Sequence, residues 1–406
     1  MNRMIELNAA LLLAAAPLFA TILTATAAAT PSNAAATVTA PAAAAATATA
    51  AAAAATATSA APHRKVIIDQ DAFGPAGSNL QAILMLLQAP NVEVLGITIT
   101  SGDGWRDEEI SHTLRLLEIA GRTEVPVFGG AVNPLINTQA RTEKWEQLYG
   151  KLFYKGAWTR VWPDQGELTR APFHEPSVVP NSPAGMPKIK AAAESAASFL
   201  VRTVRANPGQ VSIIAAGPLT NLAVAAKLDA DFATNAKELV FMGGSFSPVA
   251  ADNAFAAEYA NVPRREFNMR WDPEAATIVL HEPWKRVVQV PVDPTTRTFF
   301  KKEFFDRIAQ GGTAVGAYLK KYGQSYPMWD ELAVAVWLDP TIVRHHETLL
   351  VDVDTSFTAS YGNTLSWSAS EAPGLGEKPV DVVLDVDVPR FEQMTIDLLS
   401  RPAPKR

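Results

Sequence analysis

Cysteine is absent from all 406 residues. That excludes disulfides, thiolate metal ligands and cysteine nucleophiles, and it leaves the chain indifferent to an oxidising compartment. Basic charge is also short. Lys and Arg number 35 against 41 Asp and Glu, for a formal charge of −6, and no dense Lys/Arg run occurs. Nothing here resembles the electrostatic footprint of a nucleic-acid-binding surface. The glycine-bearing stretch Phe73-Gly74-Pro75-Ala76-Gly77 lacks the Gly-Lys-Ser/Thr ending of a phosphate loop and the spacing of a dinucleotide fingerprint. No Gly-x-Ser-x-Gly elbow is present, and Gly244-Ser245 fails at the positions that follow, which argues against a serine hydrolase. Past the N-terminus, no apolar run is long enough to span a bilayer.

What is present begins with an export-like segment. Arg3 gives a weak positive start, Leu7 to Ala20 is apolar, and small residues follow up to about Ala28. Residues 1–28 are therefore expected to be a signal peptide, with Glu6 leaving an uncleaved anchor as the alternative. Residues 29–62 are nearly all Ala and Thr with a few Pro and Ser. They have nothing large to bury and read as a disordered linker. An exported, periplasmic or secreted location follows from this reading. The folded part, 63–406, is long enough for one large core.

From Lys65 onward, short apolar runs alternate with helical periodicity. Val66-Ile67-Ile68 ends in Asp69, as expected for a strand buried on both faces. Further strands are expected at Val92–Thr100, Val125–Phe128, Val211–Ala215, Leu239–Met242 and Val287–Val292. Helices are expected at Glu109–Ala120 with Gly121 as the stop, at Lys188–Arg205, at Leu222–Leu228, after Asp272-Pro273, after Asp330 and from about Arg390. The C-terminal part reads as strand-rich: Leu349–Val353, Ser356–Trp367 and Val380–Val386. His345-His346 is expected to precede a strand in an exposed loop. Residues 131–188 break the rhythm with many Pro, Gly and Trp residues, and read as an insertion or lid. The whole predicts an α/β fold, a mainly parallel open sheet with helices on both faces. The active site of such a sheet lies beyond the carboxyl ends of its strands. Asp69, Asp71, Gly102-Asp103, Gly217, Gly243-Gly244 and Asp293 fall there.

Asp69 and Asp71 stand at i, i+2, so in extended chain both side chains leave on one side. Adjacent carboxylates repel unless a proton or cation lies between them, and a hard, oxygen-ligated cation suits the pair. An ordinary loop or helix-capping pair is the plainer alternative.

Several motifs occur in order: Asp69-Gln70-Asp71 with Ser78-Asn79 after it, Leu95-Gly96-Ile97-Thr98, Gly102-Asp103, Ala216-Gly217-Pro218-Leu219-Thr220-Asn221, Met242-Gly243-Gly244, Glu266-Phe267-Asn268 with Asp272-Pro273-Glu274-Ala275-Ala276, and Trp329-Asp330. Through them the chain resembles the inosine-uridine-preferring nucleoside hydrolases, from Lys65 to Arg401. The resemblance implies a Rossmann-like core and one bound Ca²⁺. Asp71, Asp330 and the Ala216 carbonyl would ligate it, with Asp69 close by. Asn79 stands where the family has a carboxylate ligand, so weaker cation binding is expected. Asn261, Glu266 and Asn268 match residues that hold sugar hydroxyls. Ser78 and Asp103 are substitutions at sugar-contacting positions. Trp329 replaces a frequent His, either to stack on a nucleobase or as part of the core.

The implied reaction is hydrolysis of a ribonucleoside through an oxocarbenium-like transition state, with Asp71 as general base. A leaving-group acid is not identified, although His174, Glu167 and Asp164 lie in the insertion. An exported binding protein without turnover, and a hydrolase of another ribosyl or glycosyl compound, are the competing readings. The expected partner is a small-molecule nucleoside, with a homo-oligomer as the implied assembly.

Overall fold

Every second residue of a doubly covered strand must enter a different core, and the central strands do so. On β1 (Arg64–Gln70), Val66 and Ile68 enter one apolar cluster while Ile67 enters another. On β4 (Val211–Ala215), Ile214 joins the first cluster and Ile213 the second. On β5 (Glu238–Met242), Val240 and Met242 part from Leu239 and Phe241 in the same way. Burying each such side chain contributes roughly 1.5–3 kcal/mol, so a one-residue slip would expose polar groups to both cores at once.

The computed structural model describes residues 63–161, 171–247 and 264–404. The expected signal peptide and linker, together with Trp162, Asp164, Glu167 and Asn261, lie outside the described residues. Among the described residues, nine strands form one sheet in the order β3-β2-β1-β4-β5-β6-β9-β7-β8. The remaining strands are β2 (Val92–Ile99), β3 (Val127–Gly129), β6 (Val287–Val290), β7 (Val343–Val353), β8 (Thr364–Trp367) and β9 (Lys378–Val386). Pairing is parallel from β3 through β9 and antiparallel at β7. The helices Ser78–Gln88, Trp329–Leu338 and Val388–Ser400 cover one face; Ala196–Ala206, Thr220–Leu228 and Pro273–His281 cover the other.

Several expected boundaries move. The helix expected from Lys188 starts at Ala196, because Ser195 caps it by accepting from the Ser198 N–H. Only Thr364–Trp367 of the stretch 356–367 is strand; the preceding turns are closed by bonds such as Gly362 N–H to the Asp354 carbonyl. His345 and His346 lie inside β7, exposed on an edge-side strand, rather than ahead of it. The insertion contains a regular helix, Gln139–Tyr149, begun by Thr138 accepting from the Arg141 N–H.

The chain order reverses direction across the sheet between β1 and β4, which pair in parallel. Such a switch point opens a crevice beyond the strand ends. The residues directly after these two strands are Asp71 and Ala216.

Candidate active site

Asp71 follows β1 and is almost fully buried. Its carboxylate sits between two glycines. A Cβ at Gly102 would overlap Asp71 Oδ2, and one at Gly217 would lie 2.7 Å from the Asp71 backbone nitrogen. Only hydrogen at both positions leaves room. Oδ2 accepts from the Asp103 N–H at 3.0 Å, and Oδ1 accepts from Asn79 Nδ2 at 3.1 Å.

A cavity of about 100 Å³ opens here. Asp71, Ser78, Asn79, Asp103, Ala216, Glu266, Asn268, Trp329 and Asp330 all line it. Most of the expected site residues therefore converge from loops as far apart as β1 and the helix Trp329–Leu338. Trp329 packs against the apolar core and also lines the cavity.

Asp69 departs from expectation. It is not part of the cavity wall. The chain leaves the strand at Gln70, so strand alternation does not extend to Asp71. Asp69 instead points into the sheet, where Oδ1 accepts from Thr98 Oγ1 at 2.5 Å and from Asn221 Nδ2 at 2.8 Å. Asn221 in turn accepts from the Ala131 N–H through its own Oδ1. Asp69 thus ties the β4 loop to the start of the insertion. Burial pushes its carboxyl up to about 7.

Gln70, between the two aspartates, reaches the site. Its Nε2 donates to Asp330 Oδ2 at 3.0 Å, and its Oε1 accepts from Asn79 Nδ2 at 3.3 Å. Two amides therefore bridge Asp71 and Asp330. Behind them, Ser78 Oγ donates to the buried Glu331 at 2.6 Å, and burial raises Glu331 to about 8.

The electrostatics are one-sided. Asp71 is pushed well above the usual carboxylate range by burial, then by the charges of Asp103, Glu109 and Asp330. Asp330 is raised by burial and by Glu331, Asp103 and Glu266. Among the described residues, no Lys, Arg or His side chain lines the cavity. The helices Ser78–Gln88 and Trp329–Leu338 present their N-terminal residues to it, which offsets only part of the negative charge. Crowded carboxylates of this kind suit a hard divalent cation, and Ala216 lines the same cavity. Among the described residues, no three His, Asp or Glu side chains are grouped to hold a metal. The fitting donor set is therefore two carboxylates, Asp71 and Asp330, completed by neutral oxygens. Asn79 now turns its nitrogen to Asp71; a half-turn of its amide exchanges that nitrogen for an oxygen acceptor.

Glu266 and Asn268 line the same cavity. Glu266 caps the helix Phe267–Trp271 by accepting from the Asn268 and Met269 N–H groups, and it also accepts from Gly244 at 3.0 Å. Gly244 holds φ +83°, a conformation glycine favours. Burial nevertheless raises Glu266 to about 7.

Aromatic residues complete the wall: Phe73, Phe153, Tyr154, Phe267 and Tyr326. None was identifiable from sequence as a site residue, because an aromatic side chain in an α/β domain is more often core. Phe153 and Tyr154 come from the insertion. His174 lies alongside, in an adjoining small pocket that shares Phe73 and Asp103. Its ring meets Glu108 at 3.1 Å and its carbonyl accepts from Trp105 Nε1.

The model of the family described as inosine-uridine preferring nucleoside hydrolase matches residues 66–393. "Probable uridine nucleosidase 1" of Oryza sativa subsp. japonica is 33% identical over 84% of this chain and 98% of its own length. "Uridine nucleosidase 1" of Arabidopsis thaliana is 30% identical over 80% of this chain and 90% of its own. Among solved structures, a plant nucleoside hydrolase superposes with a TM-score of 0.64 at 23% identity, covering 84% of this chain and 100% of that one. A purine-preferring ribonucleoside hydrolase from Gardnerella vaginalis gives 0.62 at 23% identity, over 83% and 98%. At these identities the structural matches bear on the fold alone.

Proposed function

The chain belongs to the inosine-uridine preferring nucleoside hydrolase family, an N-glycosyl hydrolase family, and from that premise we propose that it cleaves ribonucleosides to ribose and free base in a Ca²⁺-dependent reaction, outside the cytoplasm. Uridine is the first substrate to expect, given the relatives' names. The observation that carries the reading is the placement of Asp71. It is locked between Gly102 and Gly217 and lines one cavity with Ala216, Glu266, Asn268 and Asp330.

Asp71, Asp330, Ala216 and Asn79 would hold the cation. When bound, it neutralises the carboxylates and lowers the pKa of an attacking water. Asp71 accepts that water's proton, and its glycine-lined seat keeps the carboxylate from swinging away. Glu266 and Asn268 hold the sugar hydroxyls; the carboxylate accepts, while the amide donates and accepts. Their oxygens favour the positive charge that develops on the ribose. The aromatic wall excludes water from the leaving base and offers it faces for stacking. Export rests on the N-terminal sequence alone: an apolar run, small residues and an Ala/Thr tether.

A reducing-sugar assay across uridine, cytidine, inosine and adenosine tests the proposal. The expected result is stoichiometric ribose and base from at least one of them, with turnover reduced by about 10²–10⁴-fold in Asp71→Asn. Undiminished turnover in that variant removes Asp71 from the base role. Ligand binding without ribose release from any nucleoside removes the hydrolase reading.

A further inference from the structure

The departing base needs a proton, and the described residues narrow the source. Among the described residues, the cavity wall has no histidine. Three of its residues carry a hydroxyl: Ser78, Tyr154 and Tyr326. Ser78 donates inward to Glu331, and an aliphatic hydroxyl is a poor acid. Tyr326 donates to the Gln324 amide at 2.5 Å, a neutral group that cannot carry a proton onward. Tyr154 differs. Its phenol donates to Asp103 Oδ1 at 2.5 Å, and a carboxylate can take up and return a proton.

The phenol is also held in place. The Tyr154 carbonyl accepts from Arg270 Nη2 at 2.6 Å, and the ring stands edge-on to Phe267 at 4.8 Å. Two residues further on, Gly156 adopts φ +53° against the Gly102 carbonyl, where a Cβ would overlap it, and the Ala157 N–H donates to that same carbonyl at 2.9 Å. The insertion is thereby seated on the Gly102-Asp103 loop, whose Asp103 N–H also holds Asp71. The proposed base and the phenol are both hydrogen-bonded to one residue, Asp103.

We infer that Tyr154, held on Asp103, gives its phenolic proton to the departing nucleobase, which makes the insertion part of the catalytic machinery. As the C1′–N bond breaks, its electron pair stays on the base and the Tyr154 O–H proton moves to it. The water that joins C1′ loses its proton to Asp71. Asp71 releases that proton to solvent, and the tyrosinate regains one from solvent through Asp103. Nucleoside and water are consumed; ribose and neutral base are formed. Acid and base then divide the two proton transfers between them, as the two carboxyl groups do in inverting glycoside hydrolysis.

The inference rests on the hydrolase reading, so the test uses two substrates and checks that reading separately in the unaltered enzyme. Uridine needs a protonated leaving group; p-nitrophenyl riboside does not, because nitrophenolate is stable as an anion. Wild-type release of ribose from both substrates establishes the hydrolase. For Tyr154→Phe, the expected kcat on uridine falls by about 10²-fold or more, while the rate on p-nitrophenyl riboside stays within about threefold of wild type. Asp103→Asn, which removes the proton return, is expected to lower kcat on uridine, to a smaller degree than Tyr154→Phe. Equal losses on both substrates would make Tyr154 a packing or sugar-positioning residue and overturn the inference. Unchanged uridine turnover in Tyr154→Phe would overturn it as well.

Discussion

Asp71 does little without its neighbours. Its carboxylate is fixed by what Gly102 and Gly217 lack, a Cβ, and by the Asp103 N–H, which donates to Oδ2. Gly102→Ala should push the carboxylate out of line and lower kcat on uridine by about 10²-fold, the loss expected for a displacement near 1 Å. Circular dichroism of the variant should stay native; wild-type kcat would show the close approach to be unimportant. Glu266 makes a different prediction. Burial raises its carboxyl to about 7 against three N–H donors that lower it. The ionised form, which accepts from sugar hydroxyls, exists above that value and is lost as pH falls through it. Accordingly kcat/KM on uridine should drop about tenfold per unit below pH 7, and Glu266→Gln should flatten that limb while raising KM. A profile flat between about pH 5 and 8 would detach Glu266 from sugar binding. At this scale the sequence was informative where motif and chemistry coincided, as at Asp71, Asp330, Glu266 and Asn268. It misled at Asp69, because strand alternation was carried one residue past the strand's end. It was silent on Gln70 and Glu331, whose roles depend on contacts 260 and 253 positions away in the chain.

Among elements, the insertion matters most. Its composition marked it as irregular, yet it holds the helix Gln139–Tyr149 and supplies Phe153 and Tyr154 to the cavity. Its seat on the sheet loop depends on Gly156 at φ +53° against the Gly102 carbonyl. Gly156→Ala should cost about 1–3 kcal/mol of stability, read as a lowered thermal midpoint, and should raise KM as the aromatic wall shifts. An unchanged midpoint and KM would show the seat to be loose. Buried strands and capped helices were legible in the sequence. Val66–Ile68 declared itself by an unbroken apolar run, and the helix Pro273–His281 by Asp272-Pro273 at its start. Boundaries failed where a cap decided them. Ser195 starts a helix seven residues after periodicity seemed to begin at Lys188. The turns before Thr364 took most of an expected strand. Such choices are settled by single side-chain bonds that compete with the backbone ladder, and pattern alone does not weigh them.

Across the whole molecule, the parallel sheet places Asp71 and Ala216 side by side at its switch point, and the helix Trp329–Leu338 brings Asp330 to meet them. The alternation of strands and helices foretold that crevice before any coordinate did. It did not foretell that two amides, Gln70 and Asn79, would link the two carboxylates. With only two carboxylates in the fitting donor set, cation binding should be weaker than a site with a third carboxylate would give. The proposal that Ca²⁺ sits among these oxygens and is needed for hydrolysis is tested by chelator-treated protein assayed for ribose release from uridine during Ca²⁺ titration. The account predicts that chelation abolishes release and that Ca²⁺ restores it with one bound ion per chain; full activity in excess chelator would contradict it.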